Sequence, residues 1–182
     1  MNDYYKLHLA YSLRPTLLNR IIYVRTDTKL DELAAIFLLS LNIQKKEKYA
    51  FKDGVSSFYS NSDDIITDRD FSSKGVSIDE LKLNCDNDFD FSYDLDDSWD
   101  FNVQVDRNIY RMDSDHKFVL ESANGKGIIP GESFLFRKYS QESILKEEEK
   151  MALSLDTFHN EIDLIKLTTF IDDYFDIFLL QD

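Results

Sequence analysis

Between residues 86 and 106 the chain alternates so regularly that one local structure accounts for it. Asn87, Phe89, Phe91, Tyr93 and Leu95 fall on one side of an extended backbone, and Asp86, Asp88, Asp90, Ser92 and Asp94 on the other. After Asp96, Asp97 and Ser98 the alternation resumes, with Trp99, Phe101, Val103 and Val105 against Asp100, Asn102, Gln104 and Asp106. Period two is the signature of a half-buried strand. Two such runs joined by a few turn-forming residues make a β-hairpin. Its aromatic side demands a core, and its other side reads as a ladder of carboxylates. A chain built around this hairpin has to supply a second layer to cover the aromatic face.

The rest of the sequence supplies one. Tyr5, Leu7, Leu9 and Tyr11 alternate with Lys6, His8 and Ala10, and Pro15 then interrupts the pattern. A second strand is expected over residues 19–25. Thr26, Asp27 and Thr28 offer helix N-caps, with Asp31 and Glu32 in the first turn, where the helix dipole favours acids. Leu30, Leu33, Ala34, Phe37, Leu38 and Leu41 recur at helical spacing, apolar nearly all round, so this helix is expected to lie buried across a sheet. Short strands are expected at residues 49–51 and 56–59 about the Asp53-Gly54 turn, and at residues 118–120. Loops are expected at 60–64 and 72–75, and a single helical turn capped by Ser77. From Ser140 the spacing becomes helical, through Ile144, Leu145, Met151 and Leu155. A last helix is expected from about Glu161, through Ile162, Ile165, Phe170, Tyr174, Ile177 and Phe178.

These elements predict an α+β fold: a mainly antiparallel sheet, a buried N-terminal helix, the acidic and aromatic hairpin, and a C-terminal helical pair. The expected division is an α+β domain over residues 1–136 and a helical extension over 137–182 packed on it. The 14 Phe and 10 Tyr allow a full core in 182 residues, and 5 Gly with 2 Pro are few for an all-β sandwich. Cys85 stands alone, which rules out an intramolecular disulfide and any multi-cysteine metal site. The first residues lack a basic region followed by an apolar run, and no stretch is long and apolar enough to span a bilayer. A cytoplasmic protein without membrane contact is the expectation.

Two motifs resemble a known family. The run from Phe91 to Phe101, with Tyr93, Asp94, Asp97 and Trp99 in place, resembles the Y-x-Y-D-F-G-D-x-W-x-H signature of the Ri-plasmid ORF-three-like domain family. The run from Leu13 to Ile21 resembles that family's K-P-P-I-W-R-R-I segment, and Tyr49-Ala50-Phe51 sits where the family has H-x-Y-x-F. The resemblance covers about residues 3–132. Asp96 replaces the usual glycine, Phe101 replaces the histidine after the tryptophan, and the family's first histidine is missing near Glu47. The resemblance implies an α+β fold often found near plasmids or other mobile elements, and it supplies no activity.

Function has to be argued from surface chemistry. The net charge is −14, distributed as +3 over residues 1–50, −10 over 51–120 and −7 over 121–182. Such a field repels nucleic acid and anionic membranes and attracts basic surfaces. His8, His116 and His159 show no metal-ligand spacing and neighbour no evident nucleophile. Gly125-Lys126-Gly127 is too short for a phosphate loop, and Cys85 beside Asp86 lacks activating cations. No catalytic residue and no cofactor is expected, and the chain reads as a non-enzyme.

The acidic face, comprising Asp86, Asp88, Asp90, Asp94, Asp96, Asp97, Asp100 and Asp106, has two open readings. It imitates a phosphate track and blocks a basic, nucleic-acid-binding protein, or it is a solvated outer face whose charges deter strand pairing. A rival from a different class is a divalent-metal-dependent enzyme built on Asp94, Asp96, Asp97 and Asp100, although an EF-hand would need Gly and Glu where Trp99 and Val105 stand. The last helix has apolar width enough to pack on its own domain or on a second copy as a homodimer.

Overall fold

The computed structural model describes residues 1–13, 15–16, 18–81, 88–96, 98–125 and 164–181. Its strands are β1 (Asn2–Tyr11), β2 (Asn19–Arg25), β3 (Tyr49–Lys52), β4 (Ser57–Tyr59), β5 (Asp70–Ser72), β6 (Asp88–Tyr93), β7 (Trp99–Met112) and β8 (Phe118–Asn124). The helices are α1 (Leu30–Ser40) and α2 (Leu164–Leu179). The strands form one eight-stranded sheet in the order β5-β4-β3-β6-β7-β1-β2-β8. Every neighbouring pair is antiparallel except β4 with β5. This is the expected α+β architecture. The helix expected from Ser140 lies outside the described residues, as do Cys85, His159 and the Gly125 to Gly127 turn beyond Gly125.

The core sits between α1 and one face of the sheet. Leu7, Leu9 and Tyr11 of β1, Ile22 and Val24 of β2, Phe51 of β3 and all the hairpin rings point into it. Phe91 is at the centre, 5.0 Å from the Phe51 ring, 5.4 Å from Phe37 and 6.2 Å from Phe101. These tilted and edge-on contacts suit the ring quadrupoles. From Leu33 to Ser40 every residue of α1 is buried. An amphipathic helix on a sheet would expose its outward side, but here α2 covers it, contributing Ile171, Phe175 and Phe178 to the same core.

Several details differ from the sequence reading. The residue capping α1 is Lys29 rather than Thr26, Asp27 or Thr28, and Glu32 Oε2 accepts the Lys29 N–H at 3.0 Å. The Leu30 N–H is already spent on the Val76 carbonyl at 2.8 Å, which fixes where the helix enters. Residues 62–64 form a 3-10 turn, with Asn61 Oδ1 accepting the Asp63 N–H. The three residues of β5 add an edge strand that was not expected and runs into the loop expected at 72–75; it is too short and too exposed to carry a period. The turn at Ser77 is present, with Glu80 Oε1 accepting the Ser77 N–H.

The hairpin lies inside the sheet: β3 pairs along β6 and β1 along β7, so its strands are the fourth and fifth of eight. Its acids therefore guard no edge, contrary to the reading in which they deter strand pairing. Among the described residues the sheet ends at β5 and β8.

Candidate functional site: the outer face of the sheet

Register decides what the hairpin presents. Asp88 is opposite Gln104, Asp90 opposite Asn102, and Ser92 opposite Asp100. Because Phe89, Phe91 and Tyr93 turn inward, these three pairs all point away from the core. Carboxylates therefore occupy three successive outward levels, crossing from β6 to β7 at the third. Strand rise makes that track roughly 14 Å long, at about 6.8 Å per level. Asp94 and Asp96 lie in the turn beyond β6, near Lys45 and Lys48 respectively, and Asp94 holds a left-handed φ of 52° and donates its N–H to the Lys48 carbonyl at 2.9 Å. Aspartate tolerates that conformation better than most side chains. Asp86 and Asp97 lie outside the described residues.

The acids differ in their surroundings. Asp90 is exposed and makes no hydrogen bond or ion pair with any described residue, although Lys52 stands opposite it on β3. Asp100 is half-buried; its Oδ1 accepts from Ser92 Oγ at 2.8 Å and from Ser98 Oγ at 2.7 Å, which fixes its orientation. Asp106 sits where residues 106–108 of β7 bulge against Lys6 of β1. It accepts the Asn108 N–H at 3.0 Å and the Tyr110 hydroxyl at 2.7 Å, and these bonds hold its pKa below the ordinary aspartate value. The face is accordingly less acidic than a uniform carboxylate ladder. Asn102, Gln104, Ser92 and Lys52 are interleaved with the acids.

Beside the track, β1, β2 and β7 form a groove of about 510 Å³ on the same face. His8, Ala10, Asn19, Ile21, Asn102 and Gln104 line it, with Ser12, Pro15 and Arg20 also contributing to its wall. Histidine spacing alone had set His8 aside, because spacing within a chain says nothing about which strand becomes a neighbour. The outward parity of Asn102 and Gln104 was legible; their meeting with His8 and Ala10 depends on the β1–β7 register. Among the described residues, no three His, Cys, Asp or Glu side chains come together as a cation would require. Likewise no described helix is long and apolar enough to cross a membrane.

A different feature lies on the core side of β2. Arg20 is 1% exposed. Its Nε donates to the Ser40 carbonyl at 2.8 Å, and its Nη1 to the carbonyls of Asn19 at 2.7 Å and Asn124 at 2.6 Å. Nη2 has no partner. The guanidinium thus ties the C-terminal end of α1, where the helix dipole welcomes a cation, to the ends of β2 and β8. Burial lowers its pKa to about 9, which leaves it charged at neutral pH.

A family model described as plasmid pRiA4b ORF-3-like protein matches residues 4–135. The chain belongs to this family. The match runs from Tyr4 within β1 through β8, and takes in the hairpin, the groove and Arg20; α2 follows it. Among solved structures, the plasmid ORF-3-like chain is similar to a protein of unknown function, MM3350 from Methanosarcina mazei Go1. That likeness has a TM-score of 0.64 at 14% identity, and covers 89% of this chain and 95% of the other. At that identity the likeness shows a shared fold. No curated protein matches the chain.

Proposed function

We propose that this plasmid ORF-3-like protein is a non-catalytic binding module that blocks a basic, nucleic-acid-binding protein through the acidic track of its outer sheet face. The observation that carries the reading is the run of Asp88, Asp90 and Asp100 at successive outward levels in the middle of a wide sheet, with Asp94 and Asp96 in the turn that follows β6. A central position makes the charges rigid, since both strands are hydrogen-bonded on both sides. Rigid charge complementarity mainly sets on-rate and partner choice. The level spacing of about 6.8 Å is of the same order as the charge spacing along a nucleic-acid strand, where phosphates rise about 3.4 Å each along the axis and further along the winding path. A net charge of −14 adds long-range steering toward basic surfaces. A family named for a plasmid reading frame suits a protein acting on nucleic-acid machinery.

The test is affinity capture from a host lysate at about 50 mM and about 500 mM salt, where screening changes severalfold. Wild type is compared with a variant carrying Asp→Asn at 86, 88, 90 and 94. The expected result is a nucleic-acid-binding protein retained by wild type at low salt, lost at high salt and lost with the variant. That protein should also release its nucleic acid when the module is added. Identical captures with both proteins would reduce the track to a solvated surface.

A further inference from the structure

We infer that the groove on the outer face of β1, β2 and β7 is an arginine-binding pocket, and that the partner proposed above docks by seating an arginine side chain in it. The inference rests on that reading for the identity of the partner, and on the groove itself for the ligand chemistry.

Three properties of the groove select a guanidinium. The first is its supply of acceptors that no described residue engages. The carboxamides of Asn102 and Gln104 and the imidazole of His8 make no hydrogen bond to any described residue, and register makes them a contiguous patch: His8 lies opposite Gln104, and Ala10 opposite Asn102. The second is charge. Asp88 and Asp90 flank Gln104 and Asn102 on the adjoining strand, about 4.8 Å away across the sheet. Of the nearby cations, Lys6 is held by Glu121 at 2.6 Å, and Arg20, which contributes to the groove wall, keeps its guanidinium buried on the carbonyls of Ser40, Asn19 and Asn124. An anion would meet that carboxylate rim, whereas a cation is drawn along it.

The third property is shape. The groove's volume of about 510 Å³ and its apolar patches at Ala10, Ile21 and Pro15 suit a long methylene stem carrying a flat polar head. A guanidinium presents five donors in a planar fork and is weakly hydrated, so it gains from several acceptors spread over a pleated surface. An ammonium is a compact, strongly hydrated point charge and gains less from the same array.

The full-length protein, labelled with ¹⁵N, would be titrated with end-blocked Gly-Arg-Gly, Gly-Lys-Gly and Gly-citrulline-Gly and followed by NMR. Citrulline keeps the shape of arginine without its charge. The arginine peptide should move the side-chain amide signals of Asn102 and Gln104 and the backbone signal of His8. The lysine peptide should bind about tenfold more weakly, the consequence of the lost fork, and the citrulline peptide should leave these signals in place. Asp90→Asn and the pair Asn102→Ala with Gln104→Ala should each weaken the arginine response while preserving the signal dispersion of the fold. Equal response to lysine, or arginine shifts confined to other surfaces, would overturn the pocket. Arginine binding in the groove without any nucleic-acid-binding partner in the capture experiment would remove the mimicry reading and leave the pocket standing. A captured partner whose binding ignores Asn102→Ala with Gln104→Ala, with groove signals unmoved by arginine, would do the reverse.

Discussion

Arg20 holds three chain segments through one side chain, and its loss would leave the Ser40 and Asn124 carbonyls short of a buried donor. Each unsatisfied buried group costs on the order of 1–3 kcal/mol, so Arg20→Ala should destabilise the fold by about 3 kcal/mol, read as a shift in the urea midpoint. Arg20→Lys keeps the charge but not the fork, and should recover only part of that loss. The carboxylates of Asp106, Asp70 and Glu80 behave differently. Hydrogen bonds from neighbouring groups lower all three pKa values in the folded state. A lowered folded pKa means stability that is present above the unfolded value of roughly 4 and is lost as pH falls through the folded one. Melting temperature should therefore fall on acidification below about pH 4, and Asp106→Asn should make that decline shallower. Sequence placed Asp106 on the acidic face and expected a helical turn capped by Ser77; the Tyr110 and Thr67 partners of Asp106 and Asp70 came only with the backbone turns that bring them near.

At the scale of elements, the hairpin and α1 were legible because each carries a strong period. Phe89, Phe91, Tyr93, Trp99, Phe101 and Val103 all turn inward as alternation requires. Trp99→Ala would empty the largest fully buried side chain and should cost about 3–5 kcal/mol, measured by chemical denaturation. What could not be read was pairing. Three-residue strands such as β4 and β5 carry too few positions for a period, and nothing local says that β3 and β1 flank the hairpin. The candidate site suffered most from this. Parity placed Asp88, Asp90, Asp100, Asn102 and Gln104 outward, but the groove exists only once His8, Ala10 and Ile21 arrive from other strands. The helix α2 offers its own check. Deleting residues 164–182 would uncover the outward side of α1, and the truncated protein should bind a hydrophobic dye and melt at lower temperature than the full chain.

For the molecule as a whole, the distribution of charge matters more than its total. The α1 side of the sheet is sealed by apolar packing, so the broad polar face is the surface on which a field can be organised. If the acidic track engages a basic groove, log affinity should fall steadily with log salt, and each Asp→Asn change along Asp88, Asp90 and Asp94 should reduce that slope. Titration calorimetry against the captured partner at several ionic strengths measures it directly.

The pairing of β1 with β7 has a consequence in time. Strands 2–11 and 99–112 are the first and seventh in the chain yet lie side by side, so β1 gains its second neighbour only after most of the polypeptide has left the ribosome. Until then the apolar side of the β1–β2 ribbon and the whole of α1 wait without the hairpin rings that cover them. Long sequence separation between partners slows folding, because loop closure precedes the contacts that reward it. Nascent chains of this protein should therefore be better customers for a chaperone than its finished stability would suggest.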